Sequence, residues 1–138
     1  MRKRTQSREI ALKILYQVDV SHQEPTKAIE EFFECNQEFP DDVKEFSNKL
    51  ILGTIGHSEA IDKRIVEFAA NWELKRMAIV DRNILRLACF ELTHLDDIPS
   101  KVTINEAVEL AKKYGGIDSG KFTNGILDKI NKTDIKKP

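Results

Sequence analysis

Lys113, Tyr114, Lys121 and Phe122 place two cations and two aromatic rings around the Gly115-Gly116 pair, with Asp118 among them. Positive charge beside exposed ring faces is suited to holding an extended anion. A second set of cations lies at the chain start, where Arg2, Lys3, Arg4 and Arg8 all precede the first acid, Glu9. Four cations at the N-terminal end of a helix oppose its dipole, so helix stability does not account for them. Two readings stand: a solvated chain end, or a phosphate-binding one.

Two helices must hold the glycine corner. Thr103 stands three residues before Glu106 and just ahead of Ala107, Val108 and Ala111, the pattern of a capping box, which predicts a helix start at Thr103. Gly115 and Gly116 follow Lys112 and Lys113, a left-handed stop with cations against the negative end of the helix. Asp118 or Ser119 is placed to cap a last helix carrying Phe122, Ile126 and Ile130 at fourfold spacing. By that spacing Phe122 reads as a core residue, whereas Tyr114 reads as exposed.

Upstream, Ala11, Ile14, Leu15 and Val18 mark a helix from Thr5 to about His22, broken by Glu24 and Pro25. Ala28, Ile29, Phe32 and Phe33 mark a second, and Val43, Phe46, Leu50 and Ile51 a third. Gly53 and Gly56 either loosen the end of that third helix or admit a close neighbour. A fourth begins at Ser58 and carries Ile61, Ile65, Phe68 and Trp72; a fifth runs from about Ala78 to His94 with Val80, Ile84, Leu85, Ala88 and Leu92 on one side. Arg86 and Glu91, inside that apolar helix, are expected to be paired internally or at an interface. The single Asn-Gly, at Asn124, lies in a helical pattern, and no sustained alternation marks a strand. The expected fold is all-α, seven or so short helices forming a compact bundle or two packed sub-bundles in one domain spanning 1–138. The Lys136, Lys137, Pro138 tail is expected to be disordered.

A hydrophobic content of 41% supports a real core. Twenty-two basic residues against 23 acidic ones leave a net charge of -1, so any nucleic-acid binding must come from local clusters. Cys35 and Cys89 belong to no CxxC pattern and read as free thiols in a reducing compartment. Lys13 interrupts the only apolar run near the start, and no stretch approaches the roughly 20 residues that cross a bilayer, so a cytoplasmic protein is expected. His22, His57 and His94 match neither HExxH nor a Cys/His spacing, which argues against a metal site. No GxSxG, GxGxxG or Walker loop is present, so neither a cofactor nor an enzymatic reaction is expected, although dispersed catalytic groups would escape this reading.

Four segments in order, RKRTQSREIALKILYQ, FSNKLILGTIGH followed by AIDKRI, RMAIVDRNILRLACFEL and VTINEAVELAKKYGGIDSGKFTNGILDKI, are similar to the NusB family of bacterial transcription antitermination factors along nearly the whole chain. The resemblance implies two small helical bundles without enzymatic activity. It implies binding to the boxA element of nascent ribosomal RNA leaders with NusE, a protein of the small ribosomal subunit, in an antitermination complex on RNA polymerase. By the same resemblance, Arg2, Lys3, Arg4 and Arg8 correspond to an arginine-rich RNA-contacting segment, and Tyr114, Asp118, Lys121 and Phe122 to positions near RNA. Tyr16, Arg76 and Asp81 match the side facing the ribosomal protein.

Single-stranded RNA is read by stacking bases on rings or guanidinium planes and by bonding base edges. Tyr114 and Phe122 offer such planes, and Lys113 and Lys121 offer charge. A carboxylate repels phosphate, so Asp118 either accepts from a base amino group or only caps its helix. A helical protein-interaction module with an incidental basic end is the competing reading.

Overall fold

A computed structural model describes residues 2–70 and 72–133, so the Lys136–Pro138 tail lies outside the described residues. Helix α1 spans Lys3–Ser21, α2 Pro25–Cys35, α3 Asp41–Gly56, α4 Ser58–Phe68, α5 Ile79–His94, α6 Ser100–Gly115 and α7 Ile117–Thr133, with a 3₁₀ turn at Leu74–Arg76. No strand occurs among the described residues. The fold is all-α, as the helical spacing predicts.

Helix α5 is the centre. It packs against α1, α3, α4, α6 and α7. The α1–α3 group and the α4–α7 group are thereby joined through one continuous core, to which α5 contributes Ile84, Leu85, Ala88 and Leu92. A helix covered on most of its circumference has to be apolar nearly all round, and the buried polar exceptions Asn83 and Glu91 on α5 are both partnered. Burying an aliphatic side chain of this size contributes about 1.5–3 kcal/mol.

Two ion-pair networks hold the helices in register. Arg82 grips Asp19 with Nε at 2.8 Å and Nη2 at 2.9 Å, Asn83 Nδ2 donates to the same carboxylate at 2.9 Å, and Arg86 bridges Asp19 at 3.1 Å to Asp62 at 2.8 Å. This ties α1, α5 and α4 together. Deeper in, Arg8 donates from Nε and Nη2 to Glu91 at 2.9 and 2.8 Å, and from Nη1 to Glu106 at 3.2 Å. Arg86 and Glu91 are thus paired inside the chain, as their place in an apolar helix requires.

Several local signals gave way to packing. The predicted capping box is not formed: α6 starts three residues earlier, at Ser100, after Pro99 in extended geometry. Thr103 lies within the helix and donates its hydroxyl to Glu91 at 3.0 Å, while Glu106 accepts from Thr5 at 2.6 Å and from Arg8. Both members of the motif serve buried partners on other helices. Helix α4 stops at Phe68, so Trp72 is not on its stripe; the chain turns through Ala70 at φ 38° and leaves the Trp72 ring half exposed. Of the two glycines ending α3, Gly53 admits a neighbour, since a Cβ there would lie 2.1 Å from Phe90 Cζ on α5, whereas Gly56 faces open space.

Candidate nucleic-acid interface

Helix α6 ends at Gly115, and Gly116, at φ 93°, makes a turn that favours glycine. Lys112 and Lys113 occupy the last turn, as predicted. Helix α7 begins at Ile117, so neither Asp118 nor Ser119 stands ahead of it; Asp118 lies exposed in the first turn, favourably placed toward the positive helix end. Ser119 Oγ donates back to the Gly115 carbonyl at 3.2 Å. Gly115 is required for space, because a Cβ would lie 2.3 Å from Ser119 Oγ and 3.3 Å from Asp81 Oδ1.

The corner touches α1 just past the basic chain start, while Arg2, Lys3 and Arg4 themselves lie beside the start of α6. Lys113 Nζ lies 2.6 Å from Glu9 Oε2, just past the basic cluster, and the Tyr114 hydroxyl bears on the same carboxylate. Burial pushes the Glu9 carboxyl up, but the hydrogen bonds from Lys113 and Tyr114 and the charges of Lys113 and Lys13 hold it below its usual range. Burial and the Glu9 contact push the Tyr114 hydroxyl up. Its ring remains 40% exposed, with Lys113 Nζ 5.5 Å from its centroid.

The N-terminal cations divide. Arg8 is a correction to the expected exposed cluster: it is 4% exposed, because its guanidinium is the counter-charge of buried Glu91 and partly buried Glu106. Burial alone would lower its pKa; the two carboxylates raise it. Lys3 and Arg4 are exposed yet paired, Lys3 with Asp42 at 2.9 Å and Arg4 with Asp97 at 3.5 Å, and Arg4 also lies 4.3 Å above the Phe46 ring. Arg2 and Lys121 are exposed and carry no ion pair among the described residues. Arg2, Lys3 and Arg4 border a groove of about 400 Å³ whose floor includes Ile98 and Val102.

A second groove, of about 320 Å³, contains Arg76 and Asp81 together with Asp118 and Phe122, walled by Trp72 and Met77. Phe122 is half-buried and stands edge-on to Trp72 at 6.2 Å between centroids. Asp81 Oδ1 is buried without a hydrogen-bond partner among the described residues. Residues that the family resemblance divides between RNA and a protein partner therefore line a single groove. Trp72 and Met77 were missed by periodicity, which put Trp72 on a helix and gave Met77 no signal. Tyr16, two turns beyond Glu9 on α1, is 40% exposed.

The geometry is that of an all-helical protein whose surface carries cations beside exposed rings. The chain belongs to the NusB family, which its residues 5–132 match. It is 48% identical over 130 residues to the transcription antitermination protein NusB of Syntrophus aciditrophicus, covering 94% of this chain and 80% of that one. It is 44% identical to the protein of the same name from Thermodesulfovibrio yellowstonii, covering 96% and 94%. Among solved structures, NusB of T. maritima superposes with a TM-score of 0.89 at 37% identity, covering 96% of this chain and 92% of that one. A crystal structure of antitermination factors NusB and NusE in complex with double-stranded RNA matches with a TM-score of 0.89 at 32% identity, covering 97% and 99%. The chain is thus a member of a family of transcription antitermination factors. No helix among the described residues is long and apolar enough to cross a membrane.

Proposed function

We propose that this chain binds a single-stranded boxA-type element of nascent ribosomal RNA leaders together with NusE and joins an antitermination complex on RNA polymerase. The observation that supports this reading is the Lys113–Glu9 contact, which lays α1, just past its basic start, against the end of α6 that carries the aromatic corner. Arg2, Lys3 and Arg4 supply phosphate contacts and Lys113 and Lys121 extend them. Tyr114 and Phe122 supply stacking planes, and Asp118 accepts from a base amino group. Arg8 acts indirectly, by fixing α1 against α5 and α6. Tyr16, Arg76 and Asp81 face the ribosomal protein, and the groove shared by Arg76, Asp81, Asp118 and Phe122 supports a partner that completes the RNA surface.

The test is a titration of labelled boxA RNA, single-stranded and as a duplex, with and without NusE, across a salt series. Modest affinity for the chain alone, a large gain with NusE and preference for the single strand are expected. A salt slope for the chain alone equivalent to roughly ten phosphates contradicts this reading. A protein-interaction module without direct RNA contact is favoured by the ion pairs already occupying Lys3, Arg4, Arg8 and Lys113. Under that reading NusE binds normally while RNA adds nothing to the pair.

A further inference from the structure

Glu9 puts a carboxylate inside the surface read above as phosphate-binding. It sits on α1 directly after buried Arg8, its side chain 16% exposed, and Lys113 Nζ reaches it from α6, 104 positions away, at 2.6 Å. The Tyr114 hydroxyl bears on the same carboxylate, and Lys113 Nζ lies 5.5 Å from the Tyr114 ring. An acid here opposes RNA twice, since it repels phosphate and neutralises the cation beside an exposed ring.

Lys113 nevertheless stays open to solvent. Its side chain is 52% exposed against 16% for Glu9, so an outside anion reaches the ammonium more easily than it reaches the carboxylate. Ion pairs with an exposed member are weak, because water screens them, and an incoming phosphate can compete. Stranding Glu9 would cost more, since a partly buried carboxylate needs a counter-charge. Lys13 supplies one. It follows Glu9 by four residues on α1, the spacing at which an acid on the N-terminal side meets a following cation, and its charge already acts on Glu9. Lys13 is exposed and makes no ion pair of its own among the described residues.

We propose that Glu9 is an exchangeable counter-ion: in the free chain it neutralises Lys113, and when an RNA phosphate takes Lys113 it passes to Lys13. This exchange, which rests on the RNA reading of the surface, makes the Lys113–Glu9 contact a brake on binding and reconciles an occupied Lys113 with a phosphate-binding role.

Single-stranded boxA RNA is titrated into the full chain with NusE across a salt series, for the parent and for Glu9→Gln, Lys113→Gln, Lys13→Gln and their pairs. Glu59→Gln, on the exposed surface of α4, removes the same charge far from the corner in sequence and serves as the control. Glu9→Gln keeps the shape of the side chain and an accepting oxygen; it is expected to tighten binding about two- to fivefold at low salt, the range spanned by exposed ion pairs. In the Lys113→Gln background it gains no more than the control. Lys113→Gln flattens the salt slope by about 0.7, one phosphate of a single strand. Lys13→Gln weakens binding without changing that slope, and has no effect once Glu9 is Gln. In the parent chain the carboxyl-carbon NMR signal of Glu9 moves on RNA addition as its partner changes.

Unchanged or weaker binding in folded Glu9→Gln, an equal gain in Glu59→Gln, a Lys13→Gln loss that persists without Glu9, or a Glu9 signal that stays in place overturns the exchange while RNA binding by the parent stands. Failure of the parent with NusE to bind RNA overturns the reading of the surface itself, and the exchange with it. A calorimetric midpoint shows that each variant is folded.

Discussion

Arg8 and Glu91, 83 positions apart, meet through two parallel hydrogen bonds of 2.9 and 2.8 Å in a site where both side chains are almost entirely buried. A residue that the sequence places among RNA-facing cations is therefore the internal clamp between α1 and α5.

Breaking this pair by removing one partner leaves the other charge buried, at a cost of about 3–5 kcal/mol. Arg8→Ala is expected to lower the urea midpoint by a corresponding amount. Arg8→Met combined with Glu91→Met should recover much of that loss, because the fully buried charge is gone and the partly exposed Glu106 keeps its hydrogen bond from Thr5. Equal destabilisation in the double variant would show that the helices depend on the ion pair itself.

Asp19 supplies a pH dependence whose sign is fixed. Burial raises its carboxyl pKa, but the hydrogen bonds from Arg82 and Asn83 and the charges of Arg86 and Arg82 outweigh burial and hold it below its ordinary value. A carboxyl lowered in the folded state binds protons more readily when unfolded, so its contribution is complete above the unfolded value, near pH 4, and is lost as pH falls through the folded one. The urea midpoint measured from pH 5 downward should fall less steeply in Asp19→Asn than in the parent chain.

Gly53→Ala pits two effects against each other. Alanine gains about 1 kcal/mol of helix propensity, but its Cβ would sit 2.1 Å from Phe90 Cζ, and overpacking of this kind costs about 1–3 kcal/mol. Net destabilisation is expected because Phe90 has little room to retreat. In the background of Phe90→Leu the same substitution should cost less; thermal melts of the four variants in the cycle measure the difference.

Tyr114 separates stacking from hydrogen bonding. Tyr114→Phe keeps the plane and loses the hydroxyl contact with Glu9, whereas Tyr114→Ala loses the plane, worth about 1–3 kcal/mol per stacked base. With NusE present, RNA affinity should be nearly retained in the first variant and reduced by roughly five- to 150-fold in the second. Equal losses would assign Tyr114 to positioning α1 against α6.

The fold was largely legible because each helix buries a stripe at regular spacing: Ile14 and Leu15, Leu50 and Ile51, Ile84 and Leu85, and Ile126 and Ile130 are all buried. The glycine stop at residues 115 and 116 was legible for the same local reason, since a positive φ after a helix favours glycine. What the sequence by itself determined was thus the helices, most of their limits, and the chemical character of the two surface clusters.

Only the tertiary structure decided which charges remain free. Arg8 looks like Arg4 in sequence, yet one is buried against Glu91 and the other exposed beside Asp97. The capping-box pattern of Thr103 and Glu106 is equally a set of two side chains that α5 and α1 claim, and the partners lie 12 and about 100 positions away. The nearness of His57 to His94, and of Asp81 to the Gly115 corner, follows from packing across α5. Such pairings depend on helix crossings, which the 3.6-residue period of a single helix does not encode.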